Sequence, residues 1–136
     1  NKYISTNLII KKKITFIKTN DSRFALRVAL RVKAKKYMEN VKIYDMIPAM
    51  AQLYKRYGEP PSEIKNNRIR WDIQRLSEGE ERYYSYIIHS KMNIIGKFEL
   101  PVATGVYEME GQIHEARSNK VFFINEPKEI KNFDVE

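Results

Sequence analysis

An all-β fold, built as an antiparallel β-sandwich, is the class this sequence predicts, and three observations predict it. Apolar and polar residues alternate in steps of two through most segments. Turn-forming residues separate those segments at short intervals. Only one stretch reads as a helix, so nothing like the strand–helix alternation of a parallel sheet is present. The alternating runs amount to about seven or eight strands. Within 136 residues, two-faced strands of that number bury themselves best as a two-layer sandwich of immunoglobulin type with one short helical crossover.

The first run, "NLIIKKKITFIK", places Ile10, Ile14 and Phe16 on one face, around the interruption Lys11-Lys12-Lys13. Thr19-Asn20 and Asp21-Ser22 make a turn. In "RFALRVALRVKAKK" the even positions Phe24, Leu26, Val28, Leu30 and Val32 are all apolar. The odd positions carry Arg23, Arg27, Arg31, Lys33 and Lys35, interrupted by Ala25 and Ala29. A helix would scatter those cations around its circumference, whereas a strand gives them one wet face and the aliphatics one dry face.

"VKIYDMIP" is a strand that ends at Pro48, because proline has no N–H for the ladder. "AMAQLYKRYG" sets Met50, Leu53, Tyr54 and Tyr57 three and four residues apart, the stripe of a short amphipathic helix. Gly58 closes that helix, and Pro60 and Pro61 forbid its continuation. The expected role is to seal one end of the sandwich. "NRIRWDI" then turns Ile69, Trp71 and Ile73 inward, and a buried Trp71 needs a partner for its indole N–H. "ERYYSYIIHS" puts Tyr84, Tyr86 and Ile88 on one face and Tyr83, Ser85, Ile87 and His89 on the other. "VATGVYEMEGQIHEA" and "SNKVFFIN" supply the last strands, with a hairpin turn at Glu110-Gly111 and a loop at Arg117-Ser118-Asn119. Residues 1–127 read as one domain, and 128–136 as a polar tail.

Composition narrows the function classes. With 43% hydrophobic and 31% charged residues, this is an ordinary globular chain. It has no cysteine, which removes disulfides, thiolate metal sites and cysteine nucleophiles. No apolar run approaches the roughly 18 to 20 residues of a spanning helix. The net charge of +8 is unevenly spread. Residues 1–37 hold eleven Lys/Arg against one acid (+10), residues 38–76 seven against five (+2), and residues 77–136 seven against eleven (−4). Such a split suits an anionic partner, or complementary surfaces that pack within one molecule or between neighbours in an array.

Taken in order, "VKIYDMIPA" and "IRWDIQRLSEGEERYYSYII" carry a further signal. The chain resembles the repeat domain of prokaryotic, especially archaeal, surface proteins known as the domain of unknown function eleven. Asp45, Ile47 and Pro48 match its Asp-x-Leu/Ile-Pro strand end, Trp71 its tryptophan strand, and Leu76, Gly79 and Glu80 its Leu-x-Pro-Gly-Glu turn. Residues 24–36 resemble the preceding family strand, so the likeness covers about residues 8–125. Glu78 stands where the family usually has proline, and the loop after Pro48 is longer than usual. The resemblance implies an immunoglobulin-like sandwich without catalysis, strung along surface or envelope proteins as a spacer or adhesive module. Its partners would be other domains or subunits of the assembly, or a second copy of the chain.

No constellation reads as an active site, and no cofactor is expected. His89 and His114 would need to converge with a carboxylate such as Glu115 to hold a metal. Ser85 lacks a nucleophile-elbow setting, and the five glycines are too dispersed for a phosphate loop. Glu78, Glu80 and Glu81 around Gly79 offer oxygens for calcium without the usual Asp spacing. Asp45 is explained by hydrogen bonds to backbone N–H groups near the bend at Pro48. The sharpest functional feature is the cationic comb Arg23, Arg27, Arg31, Lys33 and Lys35, with same-face neighbours about 6.5–7 Å apart. Lys11, Lys12 and Lys13 extend it if their strand pairs alongside, and Tyr83 is an exposed aromatic candidate. An anionic polymer or lipid headgroups would be its ligand. A solvated, aggregation-blocking face is the plainer reading.

Overall fold

In the computed structural model the described residues are 6–17, 24–90 and 96–125. They form eleven strands: β1 (Leu8–Ile17), β2 (Phe24–Ala34), β3 (Met38–Met46), β4 (Gln52–Tyr57), β5 (Glu63–Lys65), β6 (Arg68–Leu76), β7 (Glu81–Ser90), β8 (Gly96–Leu100), β9 (Thr104–Met109), β10 (Gln112–Arg117) and β11 (Val121–Asn125). That exceeds the seven or eight expected, because β5 has three residues and the C-terminal third divides into four short strands. Every pairing among the described residues is antiparallel. One sheet runs β1-β2-β7-β4, the second β10-β9-β3-β6-β5, and β11-β8 form a separate two-stranded sheet. The described fold is all-β and sandwich-like.

The expected helix after Pro48 is a strand instead. β4 lies on the free edge of β7, with Gln52 opposite His89 and Leu53 opposite Ile88, then a register shift before Tyr57 meets Tyr86. The two periods share a step of four, so Leu53 and Tyr57 satisfy both patterns. Met50 and Tyr54 satisfy only the helical one, and both are exposed. A stretch this short has little intrinsic helix stability, and the unpaired edge of β7 supplies hydrogen bonds that a helix would forgo. Gly58 is not a helix stop. Its N–H donates to the Ser85 carbonyl, continuing the β7 pairing, and a Cβ there would meet Ser85 Oγ at 2.9 Å.

Between the two larger sheets lies one apolar core. β2 contributes Leu26, Val28, Leu30 and Val32, and β7 contributes Tyr84, Tyr86 and Ile88. From the opposite sheet come Val41 and Ile43 of β3, Ile69, Trp71 and Ile73 of β6, and Tyr107 of β9. Trp71, 1% exposed, stacks obliquely on Tyr84 and Tyr86 at centroid distances of 5.1 and 6.1 Å. Its indole N–H donates to the Glu59 carbonyl at 3.1 Å. The partner it needs is therefore the chain just before the two prolines.

The turns follow their residues. Glu110 and Gly111 both take positive φ, 53° and 75°, as a two-residue hairpin between β9 and β10 requires. Gly79 has φ 84°, and its N–H donates to the Ala34 carbonyl. The Glu80 carboxylate accepts the Ser77 N–H at 2.9 Å and Arg82 Nε at 2.8 Å. That backbone hydrogen bond first, and Arg82 second, hold Glu80 below the usual carboxylate range. Arg23, the 18–23 turn and the 128–136 tail, with its boundary at 127, lie outside the described residues.

Candidate functional site

β1 lies beside β2, and β2 beside β7, so three strands contribute to one outer face. The register sets Lys11 opposite Arg31, and Arg31 opposite Tyr83. The next row is Lys13, Ala29 and Ser85, followed by Thr15, Arg27 and Ile87. Adjacent strands are about 4.8 Å apart, so the cations of β1 and β2 form a two-dimensional patch. Small residues at Ala29, Ser85 and Gly58 floor a groove of about 460 Å³. Lys11, Lys13 and Arg31 line it on one side, and Tyr83, 66% exposed, lines it on the other. The basic and aromatic residues expected on separate strands are thus brought together.

Arg31 is not a free cation. Its Nε donates to Glu81 Oε1 at 2.6 Å, and the Tyr83 hydroxyl donates to the same oxygen at 3.0 Å. Arg31 first, and Tyr83 next, hold Glu81 below its ordinary range. This exposed pair is worth little stability, but it fixes the Arg31 and Tyr83 side chains at the groove. Lys33 and Lys35 are farther along β2 and beyond its end, with Lys33 half-buried.

Lys12 does not belong to this comb. Strand parity turns it inward between Ile10 and Ile14, where its side chain is 1% exposed. Its Nζ donates to Asp45 Oδ1 at 2.8 Å and to the Pro101 carbonyl. Asp45, with 0% side-chain exposure, also accepts the Tyr86 hydroxyl on Oδ2 at 2.6 Å and the Met46 N–H on Oδ1 at 3.0 Å. The backbone bond anticipated for Asp45 is therefore one of several. Burial raises the Asp45 pKa, opposed first by the Lys12 charge, and burial lifts Tyr86 well above its ordinary range. Lys12 and Tyr86 come from one sheet and Asp45 from the other, so the cluster ties the layers together.

The backbone of Lys12 is held as well. Its N–H donates to Asn119 Oδ1 at 2.8 Å, and Asn119 Nδ2 donates to its carbonyl at 3.0 Å. The Asn119 amide stands where a strand neighbour would, on the side of β1 away from β2. Ser118 supports it, exchanging bonds with Ala103: the Ala103 N–H donates to Ser118 Oγ and the Ser118 N–H to the Ala103 carbonyl.

The other candidates are dispersed. His89 lies on β7 against Tyr54, and His114 on β10 against Tyr107, so the histidines sit in different sheets with different ring partners. Glu80 and Glu81 are engaged by Arg82 and Arg31. Among the described residues no three His, Cys, Asp or Glu side chains gather. Pro48 lies just past the end of β3, as expected, although the next element is the strand β4.

No family model matches the chain, and a search of curated proteins finds no match. Solved structures share its fold. An inactive mutant of the GH20 exo-β-N-acetylglucosaminidase from Vibrio harveyi superposes with a TM-score of 0.54 at 9% identity over 84% of this chain. This chain spans only 18% of that enzyme. BslA, a bacterial hydrophobin, superposes with a TM-score of 0.52 at 10% identity, covering 90% of this chain and 96% of its own.

Proposed function

We propose that this chain is a non-catalytic, immunoglobulin-like interaction module of a larger surface- or envelope-associated protein. Its contacting surface is the outer face of β1-β2-β7-β4, and the partner is a linear polyanion. The carrying observation is the cross-strand row Lys11–Arg31–Tyr83 beside a groove floored by small residues. Cations spaced along and across strands suit a chain of repeated negative charges, and a Tyr83 ring at the edge offers a stacking surface. The fold shared with a glycosidase and a hydrophobin assigns neither activity. The reading rests on the site and on the order of the strand motifs.

Titration with single-stranded DNA and with heparin, at several salt concentrations, tests it. With Lys11, Lys13, Arg27 and Lys33 engaged, log affinity for single-stranded DNA should fall against log salt with a slope of about −3, from about −0.7 per contact. Lys11→Glu/Lys13→Glu/Arg27→Glu should abolish binding while leaving the unfolding midpoint nearly unchanged, since all three side chains are exposed. Absence of binding at low salt overturns the polyanion reading. Binding to anionic vesicles alone reassigns the face to lipid headgroups.

A further inference from the structure

The buried cluster under the basic face has the composition of a reaction site. We infer that Lys12 and Asp45 condense to an intramolecular amide, a covalent bolt between the two sheets. Burial disfavours the charged form of Asp45, and an ion pair taken out of water carries a desolvation cost that its mutual attraction need not offset. Proton transfer from Lys12 Nζ to Asp45 Oδ1, across their 2.8 Å hydrogen bond, leaves a neutral amine facing a neutral acid. Such contact, enforced by the fold, replaces a bimolecular encounter, and a desolvated lysine amine is a competent nucleophile.

The steps balance. The Nζ lone pair adds to Asp45 Cγ, and the C–N bond forms as the C=O electrons move onto Oδ2. The Tyr86 hydroxyl, 2.6 Å from Oδ2, stabilises that oxyanion. The raised Tyr86 pKa keeps the hydroxyl protonated for this task. Collapse re-forms the C=O and breaks the bond from Cγ to Oδ1. Oδ1 leaves as water, carrying the proton it had received and a second one from Nζ. No oxidant or co-reactant is consumed.

The surroundings also fit the product. A secondary amide has one N–H and one carbonyl oxygen to satisfy. The Pro101 carbonyl already accepts from Nζ, and the Tyr86 hydroxyl already donates to Oδ2. An amide there would leave neither of its own polar groups orphaned, at the cost of the Met46 N–H bond to the departing Oδ1, and burial would shield it from hydrolysis. Asn119 fixes the β1 backbone at the same residue, which limits drift of the nucleophile.

Intact mass spectrometry of the purified 136-residue chain, followed by tandem analysis of a digest, tests the inference. The expected mass is one water below the sequence mass, with a branched peptide joining residue 12 to residue 45. Lys12→Met and Asp45→Ala should each restore the uncondensed mass. Tyr86→Phe should slow accumulation of the branched species after refolding. A wild-type chain that keeps its full sequence mass after prolonged incubation overturns the inference, and this needs no variant to fold. A water loss mapped to any other pair of residues overturns it equally.

Discussion

Lys12→Met is expected to leave the domain about 3–5 kcal/mol less stable at neutral pH than the double variant Lys12→Met/Asp45→Asn. The single variant strands a carboxylate whose side chain has no solvent exposure, its remaining donors among the described residues being the Tyr86 hydroxyl and the Met46 N–H. The double variant is uncharged, and its amide offers an oxygen to one donor and an NH2 that the Tyr86 hydroxyl can accept from. Neither protein can form a Lys–Asp amide, so the comparison isolates the buried charge. The difference should depend on pH with a definite sign. Burial raises the folded-state pKa of Asp45, and removing Lys12 takes away the largest opposing influence. Folded Asp45 therefore binds a proton at a pH where the unfolded chain does not. The stabilisation from that proton is complete below the ordinary carboxylate pKa and is lost as pH rises through the raised value. Urea unfolding of the two variants should converge on acidification and diverge toward neutrality. Equal stabilities at every pH would show that Asp45 is not buried with Lys12.

Trp71→Ala is expected to cost about 3–5 kcal/mol, the range for emptying a fully buried aromatic site. The indole fills the space between the layers, against Tyr84 and Tyr86 of the facing sheet, and anchors the Glu59 carbonyl. Trp71→Phe separates these contributions. It retains ring contacts and loses the N–H donor, so a Glu59 carbonyl bond worth about 1 kcal/mol and some ring area should go. Chemical denaturation monitored by far-ultraviolet circular dichroism measures both. A nearly neutral Trp71→Ala would place the ring outside the core and refute the β6 register.

Much of this architecture is legible in the alternation. β2, β6 and β7 obey the two-residue period with few interruptions, and their inward faces are those the pattern assigns. The Glu110-Gly111 hairpin is equally plain, because few dipeptides suit two consecutive positive φ values. A helix after Pro48 is the wrong inference because half of its support comes from residues common to both periods, and only pairing with β7 chooses between them. No local pattern carries the presence of an unpaired edge.

The candidate site shows a similar division. The cations of β2 are visible as one face, but the assembly of Lys11, Arg31 and Tyr83 into a row depends on pairing across distant segments. Grouping Lys12 with its neighbours lets polarity outweigh position. Its parity, shared with Ile10 and Ile14, points inward, and Asp45 shares parity with Val41, Ile43 and Ile47. Opposite charges at inward positions on two strands are the sequence signature of a buried pair. That signal is present at Lys12 and Asp45, but matching their depths requires the fold.

The inward placement of Lys12 between two outward lysines underlies both the basic face and the inter-sheet cluster. Brief labelling of the native protein with an amine-reactive reagent, read residue by residue by tandem mass spectrometry, tests it most directly. Lys11 and Lys13 should be modified rapidly while Lys12 stays unmodified. Labelling of Lys12 at the rate of its neighbours would contradict the β1 register and everything built on it.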